Sequence, residues 1–176
     1  MQNKNIVIGI GNLLFCDDGV GIIAVEYLKK NYLFSDGFEL LDGGTLGFNL
    51  IEYFTEYDNV FIIDTLSIDD KAGEIYKIPS KELLGGSSYK KTAHEVEVVH
   101  MLEACELYEK RANITIFGIV AEDINSVQIG LSETLNSSFD MYIKTLLNAV
   151  EELGVKVNKK NNFTYVDVVK SLRRVG

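Results

Sequence analysis

Three residues in this 176-residue chain have types and spacing that suit metal chemistry: Asp18, Asp64 and His94. Together they would offer two carboxylate oxygens and one imidazole nitrogen. That borderline donor set suits nickel, zinc or iron and leaves coordination positions open for a substrate. Plainer readings stand beside it. Asp17 or Asp18 could cap the following helix, where an acid is favourable at the dipole. Asp42, in Asp42-Gly43-Gly44-Thr45, could simply hold a turn. A lone histidine is more often structural than functional. There are two, His94 and His100, six residues apart. On one helix they would diverge by about 120° and could not share a ligand face. His94 is the stronger candidate, because it opens a helical pattern after a Gly/Ser-rich loop.

The elements that would position these residues follow from hydrophobic periodicity. Ile6–Ile10, Phe38–Leu41, Val60–Ile63 and Ile114–Val120 are short apolar runs closed by turn residues or an acid, the pattern of buried strands. Residues 74–78 mix polar and apolar side chains and stop at Pro79, the only proline, which places them at a sheet edge. Val20, Ile23, Ala24, Tyr27 and Leu28 recur at helical spacing, as do Leu135, Phe139, Tyr142, Ile143, Leu146, Leu147 and Val150. Shorter stripes run through Leu46, Leu50, Ile51 and Phe54, and through Val98, Met101, Leu102 and Cys105. Residues 80–93 read as loop and 155–176 as a weakly amphipathic tail. Alternating strands and helices imply right-handed βαβ units. The expected fold is a three-layer α/β/α sandwich with a mainly parallel sheet of about five strands. Ligands bind such sheets beyond the carboxyl ends of the strands. Asp18, Asp42 and Asp64 all follow strand exits, so they are expected on one edge.

Other chemistries are disfavoured. Gly9-Ile10-Gly11 begins like a dinucleotide fingerprint, but Leu14 stands at the third glycine position, and Asp17 and Asp18 would repel a pyrophosphate. No Walker A or G-x-S-x-G sequence occurs. His94-Glu95 starts like a zincin motif, yet position 98 is Val98. Cys16 and Cys105 have no metal spacing; Cys105 reads as core, and Cys16 lies beside acids that disfavour a thiolate. The net charge of -9 argues against nucleic acid. No apolar run is long enough for a bilayer, and the N-terminus lacks a signal-peptide pattern. A cytoplasmic protein without membrane contact is expected. Hydrophobic residues at 47% and charged residues at 24% fit one globular domain, residues 1–154. From Val155 onward the chain carries a net +5, leaving -14 on the rest. This basic segment, 155–176, is read as packed on the domain or partly mobile, either a solvated helix or a dock for an acidic partner.

The segments Gly9-Ile10-Gly11-Asn12-Leu13-Leu14, Asp17-Asp18-Gly19-Val20-Gly21, Asp42-Gly43-Gly44-Thr45-Leu46-Gly47 and Phe61-Ile62-Ile63-Asp64 occur in that order. Thr92-Ala93-His94, Phe117-Gly118-Ile119-Val120 and Gln128-Ile129-Gly130-Leu131-Ser132 follow them. Each is weak alone. Together, over roughly residues 5–150, the chain resembles the endopeptidases that complete nickel-iron hydrogenase large subunits. One departure is Ala93, where a proline commonly stands. The resemblance implies removal of a C-terminal extension from the hydrogenase large-subunit precursor once nickel is inserted. It puts the metal contacts and catalysis on Asp18, Asp64 and His94. The nickel would belong to the precursor, with no permanently bound cofactor. Asp42 is the candidate for substrate positioning or proton handling, and Asn12, Gly43, Gly44 and Thr45 are the candidates for substrate contact. Two other classes remain: a non-catalytic nickel carrier and a small-molecule-binding α/β module.

Overall fold

The computed structural model describes residues 3–45, 50–84, 103 and 112–174. The first apolar run forms β1 (Asn5–Ile10), buried along its whole length, as a strand covered on both faces must be. A 3-10 turn (Cys16–Gly19) leads into α1 (Val20–Asn31). Next come β2 (Tyr32–Phe34), β3 (Phe38–Gly44), α2 (Ile51–Glu56) and β4 (Asn59–Leu66). They are followed by β5 (Ile75–Pro79), α3 (Ser80–Leu84), β6 (Asn113–Val120) and α4 (Glu133–Glu152). The described chain finishes with β7 (Val157–Lys159) and α5 (Tyr165–Leu172).

The central sheet has five strands in the order β3-β1-β4-β6-β5. The first four run parallel; β5 pairs antiparallel with β6 at the edge, where its proline ending and mixed polarity suit it. Alternate residues of each strand feed opposite layers. Val7, Phe61, Ile63, Phe117 and Ile119 pack under α1, α4 and α5. Ile6, Ile8, Ile62 and Ile116 pack with Leu50 and with Phe54 of α2. The sandwich and the mainly parallel five-stranded sheet therefore match the expectation.

Two local expectations need correction, and one short strand carries no sequence expectation at all. Residues 80–84 are not loop: after Pro79 ends β5, Ser80–Leu84 turn into a short helix with Glu82 in its first turn, where an acid suits the dipole. The three-residue β2 is too short to leave an alternation signal, and it exists by antiparallel pairing with β7. The segment after Val155, expected as a weakly amphipathic tail, holds a short strand and a capped helix with a buried apolar face. Thr164 and Asp167 form a reciprocal capping box at the start of α5, and Val168 and Val169 are buried in the core. Fully buried Asn31 ties this segment to the end of α1, accepting the Phe163 N–H at 2.7 Å and donating to the Phe163 carbonyl at 3.0 Å. His94, His100, Cys105 and most of the expected 98–105 helix lie outside the described residues, as does the Leu46 end of the short stripe before α2. Glu103 is helical.

Candidate active site

The strand order locates a crevice. From β1 the chain moves to β3 on one side, then recrosses β1 to reach β4 on the other. The topological switch point therefore lies between the carboxyl ends of β1 and β4, the place where open parallel sheets bind ligands. The β1–β4 ladder ends at Gly9–Ile63, one residue before Asp64. On its other side β4 continues past that point, pairing Asp64, Thr65 and Leu66 with Gly118, Ile119 and Val120 of β6. Asp64 thus does not end its strand. It sits inside the β4–β6 ladder at the mouth of the β1–β4 crevice, only 3% exposed. Its Oδ1 accepts the Thr65 N–H at 2.7 Å.

The β1 exit delivers Asp18 to the same edge. Gly11, at φ 133°, bends the chain, and its N–H donates to the Gly44 carbonyl, tying this exit to that of β3. A side chain at Gly11 would strike the Asp18 carbonyl, so only glycine lets the loop fold back this tightly. α1 then starts directly above the strand ends: a Cβ on Gly21 would lie 2.3 Å from the Ile10 carbonyl oxygen and 2.4 Å from that of Ile63. This contact draws the acidic 3-10 turn against β4. Asp18 is 8% exposed, and its Oδ2 accepts the Asn12 N–H at 2.9 Å.

The capping alternative does not hold for these acids. Gly19 is the N-cap of α1 and offers no side-chain cap. Asp17 instead turns away, accepting N–H groups from Glu122, Asp123 and Ser132. Asp42 lies opposite Gly9 in the β1–β3 register at the same edge, exposed, and its Oδ1 accepts the Gly44 N–H at 3.0 Å. The turn-holding role is therefore real for Asp42. Gly43 is buried against Ile8 and Thr45 is exposed beside it. Asn12 also accepts the Leu14 N–H through Oδ1, which shapes the loop. The described structure brings Asp18, Asp42 and Asp64 to one edge; His94 is not among the described residues.

One neighbour was not singled out as a polar group in the sequence. Tyr142, read only as part of a helix stripe, is fully buried and donates its hydroxyl to the Phe117 carbonyl at 2.5 Å, close to the Asp64 carbonyl. Burial first, and then the nearby Asp64 charge, push its pKa well above the usual tyrosine value, so it stays a fixed donor linking α4 to β4 and β6. Cys16 is buried, and burial followed by the Asp17 charge raises its thiol pKa. It is therefore a protonated thiol at neutral pH, a poor nucleophile.

A profile described as hydrogenase maturation protease matches residues 22–149. The chain belongs to the hydrogenase maturation protease family. The protease is 28% identical over 153 residues to the hydrogenase 2 maturation protease of Escherichia coli, covering 86% of this chain and 93% of that one. Its fold superimposes on the hydrogenase maturating endopeptidase HybD from E. coli with a TM-score of 0.82 at 26% identity, covering 89% and 98% of the two chains. HybD from Thermococcus kodakarensis gives 0.68 at 25% identity over 83% and 98%. The protease is thus an endopeptidase of hydrogenase maturation. Among its described residues no helix is long and apolar enough to cross a membrane.

Proposed function

We propose that this protease acts in the cytoplasm on a nickel-iron hydrogenase large-subunit precursor. It removes the C-terminal extension after nickel has been inserted, using Asp18, Asp64 and His94 to recognise the metal. The observation that carries this reading is the burial of Asp18 and Asp64 at one strand-end crevice. Two carboxylates gathered in a shielded site repel each other, and a divalent cation relieves that repulsion. A precursor that brings such a cation therefore gains binding that a metal-free precursor lacks. The nickel is part of the substrate, and when present it would fix the scissile peptide and polarise it or a water.

The chain's own residues supply the rest of the site. Gly11 and Gly21 allow the loop and helix to close on the strand ends, which brings the turn carrying Asp18 and the end of β4 carrying Asp64 to one edge. Asp42 and the Gly43-Gly44-Thr45 turn flank the same edge. There they would position the extension or handle a proton, with Asn12 contributing from the facing loop. Incubating the protease with nickel-loaded precursor, followed by mass spectrometry, tests the reading. Loss of a discrete C-terminal peptide supports it. Nickel transfer to the protease with an intact precursor would instead favour a carrier.

A further inference from the structure

Asp17 is 0% exposed, the most deeply buried acid of the strand-exit loops, and proteolysis as described gives it no task. Its Oδ1 accepts the Ser132 N–H at 2.7 Å. Its Oδ2 accepts the N–H groups of Glu122 at 2.9 Å and Asp123 at 2.8 Å. Its own N–H donates to the Asp123 carbonyl at 3.0 Å. All these partners lie on the segment between β6 and α4. An isolated carboxylate here would be costly, and three charge-assisted bonds from backbone N–H groups offset that cost.

The anchoring segment is itself held from behind. The Leu131 N–H donates to the Tyr165 hydroxyl at 2.5 Å, and Arg173 donates Nη2 and Nε to the Ile129 carbonyl at 2.6 and 3.0 Å. Both residues belong to the C-terminal region beyond the family match, which ends at residue 149. Asp17 and Asp18 share one 3-10 turn, so anything that fixes the first carboxylate sets the place of the second. The geometry points to Asp17 as a positioning residue that holds Asp18 at the crevice, with α5 bracing the segment it grips. This inference rests on Asp18 contacting the metal-bearing precursor.

Asp17→Asn keeps the shape of the side chain but sets an amide donor against at least one N–H donor. On nickel-loaded precursor, kcat should fall by about 10- to 100-fold with KM within about 3-fold, the cost expected of a small misplacement at a reacting centre. Amide hydrogen exchange gives a second readout, because the Asn12 N–H is bonded to Asp18. Its protection should drop relative to that of Ile62 in β4, whereas simple destabilisation would lower both together. In an Asp18→Asn background, Asp17→Asn should add little further loss. Unchanged kcat and Asn12 protection, or a fully additive loss in the double variant, would overturn the inference. Wild-type cleavage by Asp18→Asn alone would overturn the underlying reading and this inference with it. Should Asp17→Asn fail to fold, exposed Arg173→Ala loosens the same segment and decides. A lower kcat with selective loss of Asn12 protection supports positioning, and wild-type values for both refute it.

Discussion

Asp64 lies one residue beyond the last β1–β4 pair, with one carboxylate oxygen tied to its neighbour's N–H. Asp64→Asn preserves volume and can keep that bond, so its main effect is loss of charge at the crevice. It should abolish processing while the unfolding transition stays cooperative, since loss of a site charge seldom destabilises strongly. His94→Ala should do the same and His100→Ala should process nearly normally, as followed by precursor cleavage on gels. Equal loss in both histidine variants would remove the reason for choosing His94. Asp18 and Asp64 were legible in the sequence because each follows an apolar strand run, and parallel sheets gather such exits on one edge. The task of Asp17 was not legible. Its partners stand 105 to 115 positions away, and no local pattern announces a bond of that separation.

The elements owe their placement to backbone contacts as much as to apolar stripes. α1 can sit on β1 and β4 only because Gly21 has no side chain, the two carbonyl oxygens being closer than any Cβ tolerates. Gly21→Ala must push the helix off the strand ends. Overpacking of this kind costs about 1–3 kcal/mol or more. For a chain of this size that lowers Tm by roughly 2–12 °C, and cleavage should fall with it because the acidic turn moves too. An unchanged Tm would mean that the contact relaxes freely. At the other end, Thr164→Ala removes the reciprocal cap of α5, worth about 1 kcal/mol, and should lower Tm by roughly 2–4 °C in a calorimetric scan. The runs forming β1, β4 and β6 were readable because they are continuously apolar between turn residues, and the α4 stripe because it spans several helical repeats. Neither β2 nor α3 could be, at three and five residues. α5 was read only as part of a weakly amphipathic tail, because its eight residues give the apolar stripe barely two turns.

At the scale of the whole molecule, two ways of using a metal give opposite responses to chelation. An endopeptidase with its own resident metal would be stopped by chelating the enzyme and would be indifferent to the state of its substrate. A protease that reads the precursor's nickel through Asp18, Asp64 and His94 behaves the other way round. Two carboxylates contacting a shared divalent ion in a partly screened site would each contribute on the order of 1–3 kcal/mol of differential binding, by analogy with charge-assisted bonds. Each 1.4 kcal/mol is about tenfold in affinity or rate, so metal loading should change processing by at least about a hundredfold. The direct measurement is single-turnover cleavage of nickel-loaded and nickel-free precursor by gel shift, with the protease pre-treated with chelator in both cases. The expected result is rapid cleavage of the loaded precursor and an uncut nickel-free precursor even at high protease concentration. Comparable rates for the two would contradict metal recognition at this crevice.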